Sequence, residues 1–156
     1  MRIWLAALLL GACAMQAPDG RDTSVPIGAT TRFEPARFEG GWVVRQGLAG
    51  QDVPRRVTVS GIGPDGFVWT EDGEDILARV TGTGRFTLGS GPIGRRDVWV
   101  LWVDDGFRTA ALGSPDGSVG LILDRAPDGG DDRIKAARDM MEFNGYDPSE
   151  LVEVTQ

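Results

Sequence analysis

The stretch that decides the fold runs from Asp97 to Pro127 and reads DVWVLWVDDGFRTAALGSPDGSVGLILDRAP. It begins with a continuous apolar run, Val98 to Val103, that is too short to span a membrane and rich in the β-branched and aromatic residues that favour strands. Turn-forming residues follow at Asp104-Asp105-Gly106 and again at Ser114-Pro115-Asp116-Gly117. The stretch therefore predicts three successive antiparallel strands joined by tight turns.

Similar short apolar runs, separated by Gly, Pro and Asp, continue on the N-terminal side of this stretch. Together they predict eight strands, over residues 42–46, 55–60, 66–70, 76–81, 85–88, 98–103, 107–112 and 119–124. Eight antiparallel strands in sequence order can close into an up-and-down barrel, whose interior is filled by side chains or holds one small ligand. The predicted fold class is therefore all-β.

The sequence after Pro127 predicts one α-helix and a short final strand. Acidic residues precede the helix near Asp132, and Ile134, Ala137 and Met141 follow at helical spacing, so that one apolar stripe can pack on the barrel wall. Residues 152–154 can then pair near the first strand.

Composition limits the possible functions. A chain of 156 residues fits one domain, and its 16 basic against 23 acidic residues argue against nucleic-acid binding. The sequence has no histidine and one cysteine, and its paired carboxylates, such as Asp104 and Asp105, fall in predicted turns. We therefore expect neither an enzyme nor a metal or cofactor site, and a monomer or weak dimer.

The N-terminus has the pattern of an export signal. Met1-Arg2 precedes the apolar run Ile3 to Leu10, and Leu10-Gly11-Ala12-Cys13 matches a bacterial lipobox, in which a peptidase cuts before a lipid-modified cysteine. The alternative is an ordinary signal peptide cut after Ala12-Cys13-Ala14. We favour the lipobox, with residues 1–12 as signal peptide and residues 13–32 as the lipidated Cys13 and a flexible tether, because Cys13 is the single cysteine.

Several motifs resemble those of bacterial lipocalins. The first is the entry motif G-x-W at Gly40-Gly41-Trp42, and the second is the turn at Asp104. The others are the G-x-P-D turn at residues 113–116, the strand ending Ile122 to Pro127, and a tail beginning at Gly145-Tyr146. The resemblance covers residues 33–156, which we interpret as the lipocalin domain.

The resemblance implies a structural role for Gly40, Trp42, Asp104 and Arg125, with Trp42 closing the base of the barrel and Arg125 packing across it as a cation–π pair. Resemblance to other bacterial lipoproteins, with Ala14 and not Asp after the cysteine, implies delivery to the periplasmic face of the outer membrane. Gly120 departs from the family pattern, because bacterial lipocalins often have a large aromatic residue there.

Strand alternation and the resemblance together give candidate ligand-lining residues. These are Phe67, Trp69, Val98, Val100, Trp102 and Ala111. The alternative is that the same side chains fill the interior and leave no cavity.

The function expected from these features is binding or transport of a fatty acid or phospholipid-type ligand for storage or maintenance of membrane lipid. The alternative is a small barrel lipoprotein that acts as a protein-binding inhibitor or a structural envelope factor, without a lipid pocket.

Overall fold

The structure, a computed structural model, describes residues 20–89 and 94–156. The predicted signal peptide, Cys13 and the lipobox lie outside the described residues. Within them, two α-helices and nine strands follow in sequence order, with a short 3-10 helix, Pro148–Glu150, before the last strand. Their bounds are α1 Pro35–Phe38, β1 Gly40–Leu48, β2 Arg56–Ser60, β3 Gly66–Glu71, β4 Glu74–Gly82, β5 Arg85–Leu88, β6 Arg96–Val103, β7 Thr109–Gly113, β8 Gly120–Asp124, α2 Asp131–Phe143 and β9 Leu151–Glu153.

The strands form a closed antiparallel barrel. Each of β2 to β8 pairs with its sequence neighbour, and β1 pairs with both β2 and β8, so the sheet closes on itself. The last strand, β9, adds to β1 near its end. The predicted eight-stranded barrel with one C-terminal helix is confirmed.

The buried apolar side chains form two clusters on opposite sides of the sheet. The larger one fills the barrel interior and includes Val44, Val57 and Leu123. The smaller one lies between the outer wall and α2, where Ala137 and Met141 are fully buried. The predicted apolar stripe of the helix is therefore packed on the wall.

A bulge in β6 changes which of its residues face inward. The pairing with β7 shifts between Val100 and Trp102, so that the alternation of side chains is offset by one residue. Consequently Val103, and not Trp102, belongs to the interior cluster. Trp102 and its pairing partner Ala111 pack in the outer cluster, so the expectation that both face the interior is wrong.

Residues 20–32, predicted to belong to the flexible tether, lie along the outer wall. Arg21 is 4% exposed, and its guanidinium donates through Nε to the carbonyl oxygen of Asn144 (3.0 Å) and through Nη1 to that of Pro115 (2.5 Å). The backbone N–H of Gly28 donates to the side chain of Asn144 at 2.9 Å. A segment with few large apolar residues is thus held by hydrogen bonds, which apolar patterning does not reveal.

Tyr146 occupies the space beside Gly120. A Cβ at Gly120 would lie 3.1 Å from the Tyr146 ring and 2.7 Å from Leu48, so a side chain there would collide with both. The buried Tyr146 hydroxyl donates to the carbonyl oxygen of Val119 (2.6 Å) and accepts from the N–H of Ser114 (2.8 Å). Burial raises the pKa of this phenol. The Tyr146 ring of the C-terminal tail therefore occupies the space that a side chain at residue 120 would need.

The end of the barrel at which β1 begins is closed by Trp42 and Arg125. The Arg125 guanidinium lies 3.7 Å from the centroid of the Trp42 ring, and it donates to the carbonyl oxygens of Gly41 and Arg37, both at 2.9 Å. The Trp42 indole N–H donates to the carbonyl oxygen of Phe38 at 2.9 Å. Trp42 and Arg125 thus lie together at the base, where the resemblance placed them.

Gly40 lets the chain pass from α1 into β1. Its φ of 98° lies in the left-handed region, which residues with a Cβ rarely adopt. A Cβ at this position would also lie 3.3 Å from Nη1 of Arg125. Glycine at this point therefore allows both the turn and the close approach of the arginine.

The carboxylate of Asp104 organises the turn between β6 and β7. One oxygen accepts from the N–H groups of Arg108 (2.6 Å) and Thr109 (2.8 Å), and the other from Arg108 Nε (2.9 Å) and the N–H of Gly106 (3.2 Å). Burial alone would raise the pKa of Asp104, but these hydrogen bonds outweigh it and hold the pKa below its ordinary value. Phe107, predicted to begin a strand, has φ 52° inside this turn, and β7 begins at Thr109.

Replacing Arg125 by lysine should lower the free energy of unfolding by about 1 to 3 kcal/mol, because an ammonium group cannot reach several carbonyls in a fixed planar fork. Urea unfolding followed by circular dichroism measures the change. The matched control is Arg32→Lys, in an exposed ion pair with Asp105, for which a change within about 0.5 kcal/mol is expected. Equal midpoints for wild type and Arg125→Lys would contradict the role of this residue.

Replacing Asp104 by asparagine should destabilise the fold by about 1 to 2 kcal/mol near neutral pH, because the amide nitrogen cannot accept hydrogen bonds. A carboxylate with a lowered folded-state pKa contributes stability above its unfolded pKa of about 4, and this contribution is lost as the pH falls through the folded-state pKa. The gap between wild type and variant should therefore narrow in acid.

Urea unfolding at about pH 7 and about pH 3 measures this gap. The control is Asp105→Asn at the exposed neighbouring position, which should show a small gap at both values. A gap for Asp104→Asn that stays constant with pH would refute the prediction.

Candidate ligand-binding site

Four of the six predicted lining residues lie in the interior cluster. They are Phe67 and Trp69 on β3, and Val98 and Val100 on β6, and each is at most 3% exposed. Phe86 on β5 joins them, with its ring centroid 5.0 Å from that of Phe67 and 5.6 Å from that of Trp69. The interior of this half of the barrel is therefore lined by aromatic side chains that are almost fully buried.

An ion pair that was not predicted from the sequence lies at the end of the barrel opposite Trp42. Nη2 of Arg96 donates to both carboxylate oxygens of Glu71, at 3.0 and 2.9 Å. The Trp69 indole N–H donates to Oε1 of the same carboxylate at 2.9 Å. The Arg96 and Glu71 side chains are 35% and 18% exposed, so the pair lies between the buried interior and solvent.

This ion pair crosses the interior of the barrel. Glu71 continues the inward alternation of Phe67 and Trp69, and Arg96 precedes the inward residues Val98 and Val100. The two residues belong to β3 and β6, which β4 and β5 separate in the sheet. Strands so far apart can bring side chains to 2.9 Å only across the enclosed space. The sequence signal for this pair is that Glu71 and Arg96 each take the next inward position of their strand, one step beyond the inward apolar residues.

The β1–β2 loop reaches over the same end. A Cβ at Gly47 would lie 2.9 Å from the methyl groups of Val53, so the loop packs directly on β1 there. Val53 is partly buried against the interior cluster. We call this end of the barrel, at Gly47, Val53, Glu71 and Arg96, the mouth.

Clefts lined by described residues are found on the outer surface. One of about 390 Å³ lies between the β2–β3 loop and β4, next to Leu77, which is 55% exposed. Another of about 230 Å³ lies between β1, β9 and the polar side of α2. Residues 20–89 and 94–156 contain no group of three or more His, Cys, Asp or Glu side chains placed to hold a metal ion.

In the same part of the chain, no helix is both long and apolar enough to cross a membrane.

Comparison with known proteins places the chain in a family. The family model described as a lipocalin-like domain matches residues 77–156, just over half of the chain. The chain therefore belongs to the lipocalin-like domain family. Lipocalins typically bind small hydrophobic ligands and are generally binding or transport proteins rather than enzymes. No significant match was found among curated protein sequences.

Solved structures with the same fold include lobster apocrustacyanin A1, with a TM-score of 0.60, 15% identity and 78% of each chain covered. Lipocalin 12 from rat epididymis gives a TM-score of 0.58 and 13% identity over 88% of this chain and 92% of that one. The amine-binding protein of Rhodnius prolixus, solved as its tryptamine complex, gives 0.54 and 13% over 82% and 84%. At such identities the likeness shows the fold alone.

A double-mutant cycle on Glu71→Gln and Arg96→Gln should give a coupling free energy of about 1 kcal/mol, because the pair is partly withdrawn from water. Urea unfolding of the wild type, both single variants and the double variant supplies the four values. The exposed pair Lys135 and Asp139, treated in the same way, should give less than about 0.5 kcal/mol. A coupling no larger for Glu71 and Arg96 would contradict an ion pair inside the mouth.

Proposed function

We propose that this lipocalin binds an amphiphilic lipid, of the fatty-acid or lysophospholipid class, with the hydrocarbon tail in the barrel interior and the head group at the mouth. The observation that carries the proposal is the polarity of the interior along the barrel axis. Trp42 and Arg125 close one end, buried apolar side chains line the middle, and Glu71 and Arg96 provide charge at the other end. An amphiphile has the same order of polarity.

Burial supplies the binding free energy in this proposal. Each methylene group removed from water contributes about 0.8 kcal/mol, so a long acyl tail can bind tightly with few polar contacts. Tail entry requires interior side chains such as Leu88 and Phe86 to change rotamer, since both are at most 2% exposed in this structure.

We also propose that the protein is an outer-membrane lipoprotein, anchored through Cys13 on the periplasmic face. Its role would be storage, transport or maintenance of membrane lipid. The described chain begins at the same end of the barrel as the mouth, where Gly20 packs against Gly117 of the β7–β8 turn and Leu48 at the end of β1. Cys13 precedes Gly20 by seven residues, which span at most about 25 Å. An acylated Cys13 would therefore hold the mouth close to the bilayer surface.

A second candidate is a protein-binding inhibitor or structural envelope factor without a lipid pocket. It is favoured by the close aromatic packing of Phe67, Trp69 and Phe86 in the interior. Such a protein would use its outer surface, where Leu77 and Val152 are exposed.

Titration of the chain beginning at residue 13, carrying Cys13→Ser, with a fluorescent fatty acid should show saturable binding that lysophospholipid displaces. All the contacts that the structure describes lie within residues 20–156, so the protein that begins at residue 13 retains them. Val98→Phe, which adds volume inside the barrel, should weaken binding about tenfold or more, because the added ring occupies space that the tail needs.

The matched control is Val152→Phe, the same substitution at a position that is 45% exposed on β9, which should leave the affinity unchanged. Circular dichroism and the unfolding midpoint establish that both variants are folded. Absence of saturable binding to the wild-type chain would favour the second candidate, and equal affinities for both folded variants would place the ligand outside the interior.

A further inference from the structure

We infer that Glu71 and Arg96 together form a head-group site that selects zwitterionic amphiphiles, of the lysophosphocholine or lysophosphoethanolamine type, over free fatty acids. This inference rests on the proposed function and sharpens it, because the proposed function leaves the head group open. It assigns to these two residues a role in specificity.

The ion pair lies between the buried interior of the barrel and solvent. Trp69, whose indole N–H is bonded to Glu71, belongs to the interior cluster, so the carboxylate lies directly above the buried apolar side chains. Both charged side chains remain partly exposed. A molecule with its tail inside the barrel must therefore place its head group beside these charges.

Arg96 has N–H donors beyond the one group that it uses for Glu71. A guanidinium has five N–H donors, and within the described residues Arg96 uses Nη2 alone, for Glu71. Its Nε and Nη1 make no hydrogen bond to other described residues. These groups can receive a phosphate oxygen while the guanidinium stays near its present position, and arginine binds phosphate well because its planar fork matches the oxygens.

The charges of Glu71 and Arg96 match those of a zwitterionic head group. The pair is neutral overall, with one positive and one negative group. A zwitterionic head group can give its phosphate to Arg96 and its ammonium group to Glu71, so that each of the four charges keeps an opposite partner. A fatty-acid carboxylate would instead share Arg96 with Glu71 and place two negative groups together in a partly desolvated space, which is unfavourable.

The test compares ligands of equal acyl chain length on the chain beginning at residue 13 with Cys13→Ser. The probes are palmitoyl-lysophosphocholine, palmitate and hexadecyltrimethylammonium, each below its aggregation concentration, and isothermal titration measures affinity. For the wild type we expect lysophosphocholine to bind about tenfold or more tighter than palmitate.

The two variants should change the preference in opposite directions. Glu71→Gln removes the competing carboxylate, so palmitate should bind about tenfold more tightly while lysophosphocholine weakens. Arg96→Gln leaves Glu71 alone, so the alkylammonium ligand should gain and both phosphate and carboxylate ligands should lose affinity. Asp105→Asn and Arg32→Gln, which remove the same charges from an exposed pair outside the mouth, should change none of the affinities.

The outcomes separate the two proposals. Tight binding of all three ligands with equal affinity, or equal effects of Glu71→Gln and Arg96→Gln on every ligand, would overturn the head-group assignment and leave lipid binding intact. Failure of the wild type to bind any of them would overturn the proposed function itself. The crossed change of preference in the two variants supports the assignment.

Discussion

The structure depends on the double pairing of β1. This strand is bonded to β2 near its beginning and to β8 through most of its length, which turns a meander into a closed barrel. A register shift between Val44 and Gln46 accompanies the closure, so that Val44 faces the interior while Gln46 accepts a hydrogen bond from Arg138 of the outer helix. The closed interior and the outer wall that carries α2 both follow from this one strand.

Much of this architecture could be predicted because it depends on local patterns. Apolar alternation, turn residues and helical spacing are repeated along the chain, so the strands, the helix and the final strand on β1 were predicted close to their observed positions. Trp42 and Arg125 could be paired only through the family resemblance, since they lie far apart in the sequence and no local pattern links them.

Trp102 was predicted on the wrong side of the sheet because the alternation of inward and outward side chains breaks in β6. A bulge adds one residue to β6 and shifts Trp102 to the outer wall, and the continuous apolar run gives no sign of where the extra residue falls. Ala111 was misplaced separately, because β7 keeps a regular alternation in which Ala110 and Leu112 face inward and Ala111 faces outward. Glu71 and Arg96 were missed for a related reason, because charged residues at strand ends usually mark the solvent-facing limit of a strand. Their contact depends on the diameter of the barrel, which only the closed sheet defines.

The attachment of the N-terminal segment to the C-terminal tail imposes an order on assembly. Arg21 is bonded to Asn144 and bridges to Tyr146, a sequence separation of 123 residues for the first contact. Such distant contacts close a loop that includes almost all of the described chain, and they cannot form until the C-terminal tail has been synthesised. The segment that precedes the barrel can therefore take its final position on the outer wall only after the rest of the domain has been made.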